Sequence, residues 1–190
     1  MDRISFHEAV ERIRGGRVGV IPTDTLYGIV ASVLRPDAVE RVYGVRGRDE
    51  GKPCIVLLAD MTDLGHFGID PDDAERAMLA SVWPGSVSVI LPCPDTRWGH
   101  IHRGTETVAF RVPDDAELRE FLSSSGPIIA PSANPSGLPP ATTVEEADAY
   151  FHDDADFLVD GGRLSGVPST VARIVDGKWD VLRRGEVILE

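Results

Sequence analysis

Strand-sized runs that are apolar on both parities, separated by amphipathic helical segments, limit this chain to an α/β architecture. Val18-Gly19-Val20-Ile21, Cys54-Ile55-Val56-Leu57-Leu58-Ala59 and Val87-Ser88-Val89-Ile90-Leu91 offer almost no polar position for a wet face. A half-exposed strand would alternate polar and apolar residues, so these strands must be covered on both sides. The covering elements are legible too. Phe6, Ala9, Val10 and Ile13 share one helical face over 6–14, and Gly15-Gly16 ends that helix. Asp37 predicts an N-cap for a helix to about Val45, with Ala38, Val39 and Val42 inward. Asp72 or Asp73 opens a helix that ends before Trp83-Pro84-Gly85. Asp114 predicts a cap for one through about Leu122, and Thr143-x-x-Glu146 a capping box.

Segments 108–112, 127–130 and 157–160 complete the buried strands. Segments 170–175 and 179–182 form a hairpin around Asp176-Gly177. The segment 22–28 reads as a turn-rich stretch between the strand at 18–21 and the helix from Asp37. The expected fold is a twisted, mixed, open sheet flanked by helices, in one domain over 1–190.

The 31 acidic residues outnumber 19 basic ones, giving a formal net charge of -12. That balance argues against broad nonspecific nucleic-acid binding, but it leaves room for a local basic cleft. Cys54 and Cys93 form no CxxC or Cys/His cluster, so a structural zinc site is not expected. Cys54 reads as a core thiol, and its pairing with Cys93 stays open. The first five residues lack an apolar leader and no run is long enough to cross a bilayer, so no membrane association and a cytoplasmic location are expected.

Five groups of residues could carry chemistry. Arg46-Gly47-Arg48-Asp49-Glu50-Gly51-Lys52 gathers three cations within seven residues and reads either as a phosphate seat or as a solvated charged loop. Thr23, Asp24, Thr25 and Tyr27 follow a buried strand, where they bind a small polar ligand or simply close a turn. Ser132, Asn134 and Ser136 lie in a Pro/Gly loop at a strand end, where ligands of α/β sheets commonly bind. Thr107 and Arg111 share one face of a strand, and a buried arginine there needs a partner. Ser169-Thr170 and Arg183-Arg184 flank the last hairpin. GxxxxGK[ST], GxSxG and HExxH are absent. His100-Ile101-His102 lacks a third ligand.

Taken in order, Pro22-Thr-Asp-Thr-Leu-Tyr-Gly28, Arg46-x-Arg48-x-x-x-Lys52-Pro53, Trp83-Pro84-Gly85, Pro131-Ser-Ala-Asn-Pro-Ser-Gly137 and Ser169-Thr-Val resemble the YrdC-like family over about residues 8–187. The resemblance implies a large concave, positively charged cavity. It implies a threonylcarbamoyl-AMP synthase activity on L-threonine, bicarbonate and ATP, with Mg²⁺ accompanying ATP and no metal held by the protein alone. The product would pass to tRNA threonylcarbamoyl transferase proteins; an RNA-binding, non-catalytic member is the alternative. Carried over by position, Thr25, Tyr27, Arg111, Ala130 and Ser169 would hold threonine. Arg48, Lys52, Thr107, Ser132, Asn134, Pro140 and Arg183 would face ATP. Arg46, Arg48 and Lys52 form the expected catalytic set. Two departures stand out: Arg46 replaces the lysine of the family's KxR signature, and Leu57 stands where longer members carry a histidine. With the chain end at 190, these features point to the short, single-domain form.

Overall fold

The structure is a computed structural model that describes residues 1–47, 49, 51–164 and 166–189. Its strands are β1 (Asp2–Ile4), β2 (Gly19–Ile21), β3 (Gly28–Ser32), β4 (Val56–Leu57), β5 (Val87–Pro92), β6 (Thr107–Arg111), β7 (Ile128–Ile129), β8 (Phe157–Val159), β9 (Thr170–Val175) and β10 (Lys178–Arg183). They form one sheet in the order β1-β8-β2-β3-β7-β4-β6-β5-β9-β10. Pairing is mixed. β8 runs parallel to β1 and β2, β4 to β6, and β5 to β9, while the remaining neighbours are antiparallel.

The uniformly apolar strands serve two cores, and successive residues go to opposite faces as the pleat requires. Ile21, Val30, Leu57, Ile128, Phe157 and Val159 pack on one face beneath α1 (Phe6–Arg14) and α5 (Ala116–Ser125). Val20, Ile29, Ala31, Val56, Ile129 and Leu158 supply the other. That face is covered by α2 (Pro36–Arg46), α3 (Asp73–Ala80), α4 (Gly99–His102) and α6 (Val144–Phe151). Each fully buried Leu, Ile, Val or Phe contributes about 1.5–3 kcal/mol from apolar burial, so both faces are needed. Gly19 is required where β2 passes β8, because a Cβ there would lie 2.2 Å from the Phe157 ring.

Local signals place most helix ends within a residue. Asp72 caps α3 in a full capping box with Glu75. Asp115, not Asp114, caps α5, its side chain accepting from the Leu118 amide. Asp114 instead uses its backbone N–H on Asp24 Oδ2, at 3.3 Å. α2 begins with Pro36, so Asp37 falls within the first turn and Arg35 takes the cap position. Thr143 caps α6, but the Glu146 carboxylate accepts from Thr142 rather than closing the box. The hairpin turns at Asp176 and Gly177, both at positive φ, as a two-residue type I′ turn demands.

Asp156 ties the edge of the sheet together. Its carboxylate accepts from the Val18 amide at 2.8 Å, Arg41 Nη1 at 2.6 Å and Arg17 Nη1 at 3.4 Å. Partial burial pushes its pKa up, but the Val18 and Arg41 bonds outweigh that and hold it below the ordinary range. Asp156→Ala is expected to lose about 2–3 kcal/mol at pH 7, the scale of hydrogen bonds to a charged group. A depressed carboxylate stabilises the fold above its unfolded pKa, and that stabilisation is lost as pH falls through the folded value. Urea unfolding of both proteins at pH 7 and pH 3 should therefore show the gap closing in acid.

Candidate functional site

Segment 22–28 turns sharply after β2 because Thr23 works as a local hub. Its Oγ1 donates to Leu26 O at 2.6 Å and accepts from the Thr25 and Leu26 amides, each at 3.2 Å. The chain then enters β3, whose start is bonded to the 131–133 loop: Ile29 N donates to Pro131 O, and Ala133 N to Tyr27 O. The turn and the loop are thereby locked side by side. They form one wall of a cavity of about 240 Å³, whose lining includes Thr23, Thr25, Tyr27, Ala130, Ser132 and Pro140.

Arg111, at the end of β6, and Arg183, at the end of β10, enter from the other side with Pro168 and Ser169. Arg111 is buried, with its side chain only 5% exposed. Its Nη1 donates to Thr25 Oγ1 at 3.2 Å, and its Nη2 lies 3.0 Å from Asp24 Oδ1. Among the described residues, Arg111 Nε and Asp24 Oδ1 nevertheless have no hydrogen-bond partner, so the ion pair is close but poorly aligned. Burial lowers the Arg111 pKa, the Asp24 carboxylate restores part of it, and Arg183 lowers it further. Burial raises the Asp24 pKa, against the pull of Arg111. Arg183 Nη2 donates to Ser169 O at 2.8 Å and Oγ at 3.2 Å, and Ser169 Oγ lies 2.9 Å from Ser88 Oγ. Two guanidinium groups thus face a cavity edged by hydroxyls, with one carboxylate behind them. Such a site suits a small ligand with more than one negative charge.

Close backbone packing closes the rim. A Cβ on Gly166 would lie 2.2 Å from Thr25 O, and one on Gly185 2.2 Å from Pro168 O. Tyr27 uses its hydroxyl on the same rim, accepting from Gly161 N at 2.9 Å and donating to Gly162 O at 2.8 Å. Tyr27 therefore lines the cavity as an anchor for the loop, and not with a free hydroxyl.

Of the residues singled out in the sequence, Thr25, Tyr27, Arg111, Ala130, Ser132, Pro140, Ser169 and Arg183 meet in this one cavity. Among the described residues, four others with an expected ligand or catalytic role do not line it. Thr107 stands at the opposite end of β6 from Arg111, its hydroxyl on Thr105 Oγ1; equal parity put the two on one face but not at one end. Arg46 is buried behind the wall. Its Nε donates to Asn134 O at 2.9 Å, and its Nη2 lies 3.4 Å from Ser132 Oγ and 3.3 Å from Asn134 Oδ1. Asn134 is engaged there and donates to Pro135 O and Leu138 O. Lys52 is exposed and ion-paired with Asp49 at 3.2 Å. Arg48 lies outside the described residues. Sequence reasoning passed over Leu26, Gly28, Ile55 and Pro168, which also line the cavity. Leu26 and Gly28 belong to the Pro22–Gly28 motif, while Ile55 and Pro168 were signalled only by lying near the groups that were chosen. Among the described residues no three His, Cys, Asp or Glu side chains come together as a metal site, and no helix is long and apolar enough to cross a membrane.

Known proteins resemble this chain in sequence and fold. A model of the Sua5/YciO/YrdC family, described as telomere recombination, matches residues 11–185. The chain is 36% identical over 186 residues to a threonylcarbamoyl-AMP synthase of Bacillus subtilis, covering 96% of this chain and 54% of the relative. It is 33% identical to a threonylcarbamoyl-AMP synthase of Pseudomonas paraeruginosa, covering 90% of this chain and 92% of the relative. Among solved structures, Pyrococcus abyssi Sua5 complexed with L-threonine superposes with a TM-score of 0.87 at 31% identity, over 95% of this chain and 54% of that one. The chain thus spans about half the length of the Bacillus and Pyrococcus relatives and nearly all of the Pseudomonas one.

Proposed function

We propose that this chain, which belongs to the Sua5/YciO/YrdC family, is a threonylcarbamoyl-AMP synthase. The observation that carries this reading is the convergence of Arg111 and Arg183 on one hydroxyl-edged cavity of about 240 Å³. In this reading Arg111 takes the threonine carboxylate beside Thr25, while Arg183 and Ser132 face the nucleotide phosphates. Lys52, in the loop after α2, would leave Asp49 to reach the triphosphate; Arg48, expected from the sequence to join it, lies outside the described residues. The threonine amine captures bicarbonate to give a carbamate and water. A carbamate oxygen then attacks the α-phosphorus, and pyrophosphate leaves. No side-chain nucleophile is required; the protein aligns two reactants and offsets charge on the phosphates. Mg²⁺ would arrive on the triphosphate, since the cavity offers guanidinium and hydroxyl groups rather than clustered carboxylates. The adenylate would pass to a protein that transfers the threonylcarbamoyl group to tRNA.

The test is incubation with ATP, Mg²⁺, labelled bicarbonate and L-threonine. A labelled adenylate that needs threonine and is accompanied by pyrophosphate is expected; its absence in a folded preparation would reject the proposal. Arg183→Ala should lower kcat/KM for ATP about 10- to 100-fold, from loss of a charge-assisted contact, mainly through a higher KM for ATP. Steady-state kinetics with each substrate varied in turn would show whether ATP or threonine carries the defect.

A further inference from the structure

The pair behind Arg111 has more to do than neutralise a buried charge. Arg111 and Arg183 both face the cavity, and Arg183 weakens Arg111's hold on its proton. A phosphate would satisfy both cations at least as well as an amino-acid carboxylate would. Something must reserve Arg111 for the weaker anion. Asp24 is the carboxylate in contact with it: Oδ1 lies 3.0 Å from Arg111 Nη2, and both side chains are 5% exposed. The Asp114 amide, just after β6, holds Oδ2 at 3.3 Å, so the carboxylate is fixed from behind. Thr25, the next residue, takes Nη1. Two of the guanidinium's edges are occupied from segment 24–25, and the buried Nε is left without a partner among the described residues.

We propose that Asp24 is a positioning and specificity-determining residue: by half-neutralising Arg111 and fixing its plane, it makes that end of the cavity accept a single carboxylate and refuse a phosphate. The assignment of the carboxylate to threonine rests on the synthase reading; the exclusion of phosphate does not. Like-charge repulsion from a fixed carboxylate grows with the charge of the incoming anion, so it penalises a phosphate dianion more than a carboxylate.

The experiment is calorimetric titration of the wild-type chain, Asp24→Asn and Asp24→Glu with inorganic phosphate and, separately, with L-threonine. Asp24→Asn should bind phosphate about tenfold or more tighter, one unit of charge removed in a buried site, and bind threonine about tenfold more weakly. Asp24→Glu should restore exclusion of phosphate. The double variant D24N/R111M should lose the phosphate affinity that D24N gained, which places the gain at Arg111 and not at Arg183. If D24N does not fold, Asp24→Ser keeps an acceptor for the Asp114 amide and tests the same change. Phosphate affinity unchanged or weakened in the neutral variant would overturn the proposal, because a merely structural aspartate predicts loss alone. A wild-type chain that binds no threonine while D24N still gains phosphate would sink the synthase reading and leave this one standing.

Discussion

Arg111→Met is expected to remove threonine-dependent adenylate formation by about 10³-fold or more and to destabilise the fold by about 3–5 kcal/mol. The first figure reflects loss of a preorganised, buried donor, for which about 10²–10³ is typical, together with the binding of the carboxylate. The second is the scale of leaving one member of a buried ion pair alone: Asp24, 5% exposed, would lose the cation it is paired with. The destabilisation should depend on pH in a definite direction. Burial already holds the Asp24 carboxyl above its ordinary value, and the pull of Arg111 opposes that rise. Without the arginine it rises further. A carboxyl raised in the folded state favours folding at low pH, and that contribution is lost as pH rises through the folded pKa. The variant should therefore be closest to wild type in mild acid and furthest from it above neutrality. Denaturant curves at pH 5 and pH 8 check this, and a constant gap would mean that Asp24 is not the group left behind.

Arg46→Ala is the second large effect. Arg46 is 6% exposed and bonds the backbone and side chain of Asn134, while Ser136 N donates to its carbonyl at 2.7 Å. Truncation leaves Asn134 O buried and removes a charged donor, which together cost about 3 kcal/mol. Because Nη2 also lies 3.4 Å from Ser132 Oγ, a wall residue of the cavity would shift. Turnover should fall with a raised KM for ATP and a nearly unchanged KM for threonine. Arg46→Lys can replace one of these bonds but not the fork, so it should recover about half of the lost stability. Full recovery by lysine would mean that the charge matters and the geometry does not.

The sheet was legible because burial on both faces leaves a sequence sign, a run without polar positions. β3 escaped because Gly28-Ile-Val-Ala-Ser32 follows a turn-rich stretch and contains one polar residue and a glycine; only pairing with β2 and β7 defines it. β1 escaped because its three residues are mostly exposed and are recruited by β8 alone. β4 is shorter, Val56–Leu57, than the predicted six residues, although single bonds to its neighbours continue on both sides, Ile55 O accepting from Ala130 N and Leu58 N donating to Arg111 O. In the site, residues named for lying at strand ends or in the loops after them were mostly brought together. Thr107 was not, because parity along a strand fixes a face and says nothing about depth. Arg46 looked like an anion ligand since nothing local distinguishes a guanidinium aimed at a ligand from one aimed at a carbonyl eighty-eight positions away.

The order of strands across the sheet has a consequence for how the protein comes into being. Thr25 and Arg183 border the same hollow, yet they stand far apart in sequence, one beside β3 and the other at the end of β10. Contacts that far apart are slow to form, so the hollow is completed late, however much of the core has condensed. The same geometry makes the edge hairpin of β9 and β10 the place where a single protease cut would open one wall of the hollow while sparing most of the folded body.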